Sequence, residues 1–293
     1  MNLTRTEFNI LTKADRLGNA ASDAFSEAEL CAAKRLQDAG FLCGNTVTES
    51  GYALLEPYRV KRAVFFAAGF GVRMVPVTYD KPKPLVEVNG KRIIDTLLDA
   101  VVAAGIREIY IVRGYKGEMF DCLLEKYPFI RFVENTGYDT ANNILSAYLV
   151  RDKLKNAYVF ESDIYLENPA LLPKYQYESN YLGVPTDKTD DWCFTANDDL
   201  RITSLKRGGT NCYHMYGISY MDETVGQALE KDMQDIYETV PESHDRFWDD
   251  VALYYNVERY DIKVRPCTFD DVTEIDTLDE LIEIDPSYSK YKD

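Results

Sequence analysis

No run of about eighteen apolar residues occurs in the 293-residue chain, and the opening Met1-Asn2-Leu3-Thr4-Arg5 lacks a hydrophobic signal region. Neither a membrane span nor secretion is therefore expected, and the cytoplasm is the expected location. No two of the six cysteines (Cys31, Cys43, Cys122, Cys193, Cys212, Cys267) form a C-x-x-C pair. That argues against a zinc ribbon or a thioredoxin-type site and leaves reduced, packing thiols. Positive charge is scarce, with 33 Lys and Arg against 49 Asp and Glu and a formal net charge of −16. Duplex binding rests on clustered cations, so nucleic acid is not an expected partner. The same balance repels nucleotides at long range, but screening over about 8 Å at physiological salt lets local cations decide. A cationic group on a substrate suits such a chain. Gly-Lys-Ser/Thr is also missing, which excludes a Walker loop.

What is present begins with an apolar strand, Ala63-Val64-Phe65-Phe66-Ala67, that runs into Ala68-Gly69-Phe70-Gly71-Val72-Arg73-Met74 and then Lys81-Pro82-Lys83-Pro84-Leu85. Gly69 and Gly71 remove side chains where backbone N–H groups must approach an anion, and Arg73, Lys81 and Lys83 bring cations to the same place. This is a phosphate-holding loop. A dinucleotide fingerprint would need a third small residue where Met74 stands and an acidic residue about twenty positions on, where Gly90 lies in a turn.

Residues 1–60 read as a separate small module. Thr4 to Lys13 is a candidate helix, Ser26-Glu27-Ala28-Glu29 is a capping box for a second that Gly40 stops, and a hairpin around Gly44-Asn45 leads to a closing helix at Ser50–Leu55. The pattern resembles a winged helix-turn-helix. Its expected recognition region sets Glu27, Glu29 and Asp38 against Lys34 and Arg35, which favours a packing or homodimerising role over DNA binding.

From Lys61 to the end, residues 61–293, strands and helices alternate: strands at 63–67, 108–112, 130–134 and 158–161, and helices at 93–104, 117–126 and 142–149. The fold class is α/β with a mostly parallel, Rossmann-like sheet. Ile93, Ile94, Leu97, Leu98, Val101 and Val102 mark the buried face of the first of those helices. After residue 180, short strands at 181–184, 192–195, 201–206 and 213–220 indicate antiparallel additions, with helices at 223–233 and 247–255 and a late strand at 261–264. Ligands in such sheets lie beyond the carboxyl ends of the strands, where Ala68–Arg73, Gly114-Tyr115, Asn135 and Asp163 all fall.

Asp163 closes the strand Tyr158-Val159-Phe160-Glu161-Ser162, and Asp276 follows Glu274-Ile275. Two carboxylates from distant parts of the chain suit Mg²⁺, which prefers hard oxygen ligands and shares them with substrate phosphates. The plainer alternatives are that Asp163 forms a turn and that Asp276 caps a helix beginning at Thr277. Asn142-Asn143-Ile144-Leu145-Ser146 opens a helix after Asn135, so its amides and hydroxyl could read a base and ribose, or Thr140 or Asn142 could be an N-cap. Trp192, Tyr213, Tyr216 and Trp248, near Asp249, Asp250 and Glu274, could cage a quaternary ammonium, each ring contributing about 0.5–2 kcal/mol. They could equally be core.

Taken together, the loop 67–74, Lys81–Leu85, Asn142–Ser146, Glu161-Ser162-Asp163 and Glu274-Ile275-Asp276 resemble a nucleotidyltransferase of the sugar-phosphate type, most of all the bacterial Lic-type choline-phosphate cytidylyltransferases. The resemblance covers about residues 61–285. Relatives often carry Asp-Ala-Asp where Glu161-Ser162-Asp163 stands, which leaves the second acidic contact open. It implies that phosphocholine attacks the α-phosphorus of CTP in line, pyrophosphate leaves, and CDP-choline forms without a covalent intermediate. It further implies catalytic Arg73 and Lys83, Mg²⁺ on Asp163 and Asp276, and nucleotide contacts from Ala67, Ala68, Gly69, Phe70, Gly71, Tyr115, Asn135, Asn142, Ser146 and Glu161. Trp192, Tyr213, Tyr216, Trp248, Asp249 and Glu274 would bind the choline phosphate. A sugar-1-phosphate nucleotidyltransferase, or a DNA-binding regulator that senses a nucleotide, are the alternatives.

Overall fold

The computed structural model describes residues 3–18 and 25–292. The chain divides into two compact units, one reaching to Val60 and including Tyr175–Tyr177, the other comprising Lys61–Lys174 and residues from Glu178 onward.

In the first unit, α1 (Arg5–Leu17) and α2 (Glu27–Asp38) both open on complete capping boxes, Thr4 with Glu7 and Ser26 with Glu29. The first helix continues past the expected Lys13 because Ala14 extends the buried stripe of Phe8, Ile10 and Leu11, and Gly18 at φ 54° ends it. A hairpin of β1 (Leu42–Cys43) and β2 (Thr46–Val47) follows, then α3 (Glu49–Leu55), capped by Thr48. Gly51 is required there, since a Cβ would lie 2.3 Å from the Phe41 carbonyl oxygen. The expected hairpin and closing helix are thus present, while the winged-helix designation rests on sequence resemblance alone.

The second unit runs β3 (Arg62–Ala67), α4 (Val77–Asp80), β4 (Glu87–Val88), β5 (Lys91–Arg92), α5 (Ile93–Ala103), β6 (Glu108–Arg113), β7 (Ile130–Glu134), α6 (Ile144–Leu149), β8 (Ala157–Glu161) and β9 (Ile164–Leu166). It continues with β10 (Asn180–Ala196), β11 (Ile202–Met221), α7 (Glu223–Thr239), α8 (Asp250–Leu253), β12 (Lys263–Pro266), β13 (Val272–Glu274) and α9 (Leu278–Ile284). Seven strands form one sheet in the order β12-β10-β11-β8-β3-β6-β7. Strand β3 lies parallel to β6 and β8, and β6 to β7, whereas β11 joins β8 and β10 antiparallel. The mostly parallel α/β sheet with antiparallel additions is therefore as expected. Ala63, Val64, Phe65, Ile109, Ile111 and Val159 are buried in it, as continuous apolar strands covered on both faces must be.

Several local expectations differ, among them the helix expected at 223–233, which runs to Thr239, and the late strand expected at 261–264, which is Lys263–Pro266. The helix expected at 117–126 is a 3₁₀ helix over Gly117–Glu125 rather than an α-helix, with bonds such as Met119 N–H to Lys116 C=O spanning three residues. The four short strands after residue 180 fuse into β10 and β11, because pairs such as Lys188–Thr210 carry the ladder through the polar stretch between bulges. The helix expected at 247–255 shrinks to Asp250–Leu253, its start fixed where the Asp250 carboxylate accepts from Phe247 N–H.

Candidate active site

The chain order of the parallel strands reverses between β3 and β8, so the segments leaving their carboxyl ends diverge and open a crevice. A cavity of about 460 Å³ lies there. Ser162 Oγ donates to the Phe66 carbonyl at 2.5 Å and ties the two strand ends together. A second carboxylate segment arrives by pairing: β13 runs antiparallel to β9, and Ile275 N–H donates to the Asp163 carbonyl at 3.1 Å. This register places Asp163, Glu274 and Asp276 so that one oxygen of each lies within 4.8 Å of the others.

Thr277, not Asp276, caps α9, and Glu280 accepts from both the Asp276 and Thr277 N–H groups. The Asp276 carboxylate is thereby left to face the cavity, where Arg73 pairs with Oδ2 at 2.6 Å and Lys83 Nζ with Oδ1 at 2.8 Å. Lys83 also reaches Asp163 Oδ2 at 3.1 Å. Burial lowers the Lys83 ammonium, but the Asp163 and Asp276 carboxylates outweigh it and raise the group above its ordinary value. Glu274 is pushed well up by burial and then by Asp163 and Asp276. Asp163 Oδ1 is buried without a hydrogen-bond partner. Three convergent carboxylates, one with an unfilled buried oxygen, fit a divalent cation, with Asp163, Asp276 and Glu274 as the residues to hold it.

Of the residues expected on the nucleotide, Ala68, Gly69, Asn135, Asn142, Ser146 and Glu161 line the cavity. Asn135 Nδ2 donates to Ser146 Oγ, and its carbonyl oxygen accepts from Gly137 N–H, which fixes the side chain in a buried position. Neither Thr140 nor Asn142 caps α6 through its side chain. Asn142 is instead held by the His244 carbonyl on its N–H and the Asp245 carbonyl on its amide. Gly71, in the left-handed region at φ 69°, sits with Arg73 and Lys83 in an adjoining hollow of about 320 Å³. Ala67 is the buried end of β3. Phe70 and Tyr115 pack on each other at 4.6 Å beside the loop and do not line the main cavity.

The aromatic set separates more sharply. Trp192 lines the cavity and meets Phe247 edge to face at 5.6 Å. Trp248 is buried in the core between Phe66 and Tyr181, Tyr216 is buried against His214 and Phe269, and Tyr213 faces a separate hollow with Pro185 and Asn211. The four rings expected around a quaternary ammonium are therefore not brought together. In the turn that precedes α8, Phe247 takes the cavity side while its neighbour Trp248 enters the core. Below Trp192 and Phe247 a small hollow is lined by Glu161, Asp249 and Asp250. Burial first, then Asp163 and Asp249, push Glu161 well up, and burial with the Asp250 charge pushes Asp249 to about 7. Asn143 Nδ2 donates to Glu161 Oε1 at 3.1 Å. Gly217 makes room for Glu161, since a Cβ there would lie 2.7 Å from it.

Cavity residues that the sequence reading did not assign to a site include Tyr138, Asn143, Asp191, Arg207 and Phe247. Asn143 was legible as part of the Asn142–Ser146 segment, and Phe247 and Asp191 as neighbours of chosen tryptophans. Arg207 carried no local signal, because it reaches the cavity only by pairing opposite Trp192.

The nucleotidyl transferase family matches residues 62–180. The chain is 36% identical over 230 residues to a 2-aminoethylphosphonate cytidylyltransferase of Lancefieldella rimae, covering 77% of this chain and 92% of that one. It is 30% identical over 219 residues to a choline-phosphate cytidylyltransferase of Streptococcus pneumoniae, covering 75% and 94%. A solved CTP:phosphocholine cytidylyltransferase from Streptococcus pneumoniae superposes with a TM-score of 0.72 at 31% identity, over 78% of this chain and 99% of that one. This chain belongs to the nucleotidyl transferase family and is an enzyme of the cytidylyltransferase type.

Proposed function

We propose that the enzyme transfers CMP from CTP to a small phosphate or phosphonate whose other end is a cationic nitrogen. The observation that carries this reading is the hollow floored by Glu161, Asp249 and Asp250 under Trp192 and Phe247. Carboxyls pushed up by burial are short of a countercharge, and an ammonium supplies it. An acceptor oxygen attacks the α-phosphorus, the new O–P bond forms, the bond to the β-phosphate oxygen breaks, and pyrophosphate leaves.

Arg73 and Lys83 neutralise the triphosphate in this reading, and the glycine loop lets backbone N–H groups approach it. Asp163, Asp276 and Glu274 would hold Mg²⁺, which would supply charge neutralisation to the phosphates. Asn135, Asn142 and Ser146 orient the nucleoside. Acceptor and nucleotide are both anions, so holding them against mutual repulsion is the main catalytic work.

Within this class the count of groups favours a primary ammonium, as in 2-aminoethylphosphonate, because carboxylates outnumber rings around the hollow. Phosphocholine is the second reading, supported by the Trp192 and Phe247 faces, which suit a trimethylammonium. Pyrophosphate release with CTP, UTP and dTTP, against 2-aminoethylphosphonate, phosphocholine and a sugar 1-phosphate, separates them. The expected result is CTP with 2-aminoethylphosphonate ahead of phosphocholine. Efficient turnover of the sugar phosphate alone overturns the reading.

The N-terminal unit fits packing or homodimerisation better than DNA reading, given Glu27, Glu29 and Asp38 on and beside its second helix. Sedimentation of the full chain and of a chain lacking residues 1–60 tests it, with loss of a dimer expected in the second.

A further inference from the structure

Two anionic molecules must enter a cavity walled by Glu161, Asp163, Asp191, Glu274 and Asp276. The two loop cations that line these cavities are already engaged, Arg73 by Asp276 and Lys83 by Asp163 and Asp276, whereas Lys81 lines neither. They serve the hollow that contains Gly69 and Gly71, which no residue of the β10–β11 hairpin lines. The hairpin side of the main cavity carries a different cation. Arg207 stands opposite Trp192 in the β10–β11 register, and both line the cavity. Among the described residues no carboxylate lies within ion-pair distance of its guanidinium, although the chain carries a net charge of −16.

We infer that Arg207 binds the phosphorus-bound oxygens of the acceptor, opposite the hollow that takes its cationic nitrogen. Trp192 is shared between the main cavity and that hollow, so its cross-strand neighbour lies where the anionic end of a short zwitterion emerges. A guanidinium presents a planar fork that matches two oxygens of a phosphate or phosphonate. The charge it meets there is unshared by any side chain, so the acceptor gains the full pairing. Arg207 is therefore a substrate-binding residue that separates the acceptor's anion site from the nucleotide's. The inference rests on the proposed reading that the acceptor is a small molecule with an anionic phosphorus group.

The test is steady-state kinetics of the full chain with Arg207→Ala and Arg207→Lys. Loss of a charge-assisted pair of hydrogen bonds raises the acceptor KM by roughly 30–100-fold in the alanine variant, with the CTP KM within about 2-fold of wild type. The lysine variant recovers only part, because an ammonium cannot form the fork. Arg207 is exposed, so thermal stability should be unchanged and folding is not at issue. A rise in the CTP KM instead, or no change in either KM, overturns the assignment. The measurement is made with whichever acceptor wild-type enzyme turns over. If that is only a sugar 1-phosphate, the cationic-nitrogen reading fails while the Arg207 test still decides its own question.

Discussion

Lys83 Nζ lies 2.8 Å from Asp276 Oδ1, although 193 positions separate the two residues. The same ammonium is 3.1 Å from Asp163 Oδ2, so one buried cation holds together the two carboxylates best placed for a metal. Lys83→Met strips Asp163 of its paired cation and leaves Asp276 with Arg73 alone. Breaking such a pair costs about 3–5 kcal/mol, so the melting temperature should drop. Mg²⁺ should then raise the melting temperature of the variant more than that of wild type, because it replaces a missing charge. Equal shifts in the two proteins would remove the shared-site argument. CMP transfer should also fall, by about 100-fold or more.

Asp163→Ala removes a metal ligand and the carboxylate with the unfilled buried oxygen. The expected loss in turnover is about 1,000-fold, with a folded protein by circular dichroism. Near-wild-type rates in that variant take Asp163 out of the reaction.

The sheet and the loop at its centre were legible because both are written locally. Continuous apolar strands, helical spacing at Ile93–Val101 and paired glycines beside Arg73 need no distant partner to be recognised. Asp163 and Asp276 were legible as a pair only because each closes a strand-like segment. What the sequence could not display is which side a residue takes in an irregular turn or after a bulge. Trp248 reads as a ligand ring yet packs between Phe66 and Tyr181, while Phe247 takes the cavity side. Arg207 depends on the register of two strands with several irregularities, a property of pairing rather than of composition.

Two glycines provide opposite-handed tests of the cavity. Gly71 is left-handed, and a Cβ there would lie 3.0 Å from Lys83 Cβ. Gly71→Ala should cost about 1–2 kcal/mol in backbone strain and disturb the loop, lowering kcat and raising the CTP KM. Gly217→Ala drives a methyl against Glu161 on the other side. Its effect should fall on the acceptor, with a KM rise of about 10-fold and an unchanged CTP KM. Identical kinetic signatures in both variants would contradict the division into nucleotide and acceptor sides.

Asp249 supplies a pH signature. Its carboxyl is pushed to about 7 by burial and then by Asp250, from an ordinary value of 3.8. Between those two values the folded state keeps a proton that the unfolded state has lost, so stability declines as pH rises through that window. Below pH 4 both states are protonated and the penalty vanishes; above pH 7 it is complete. A shift of about three pH units corresponds to at most ~4 kcal/mol. Asp249→Asn removes the ionisation while keeping the shape, so its advantage over wild type in urea denaturation should be near zero at pH 4 and largest at pH 8. A saturating cationic acceptor should shrink that difference at pH 8, since a bound ammonium supplies wild type with the charge it is missing and gives the variant less. A stability difference that stays flat from pH 4 to 8 would show that Asp249 ionises in the fold as freely as in water, and the cation-seeking hollow would lose its basis.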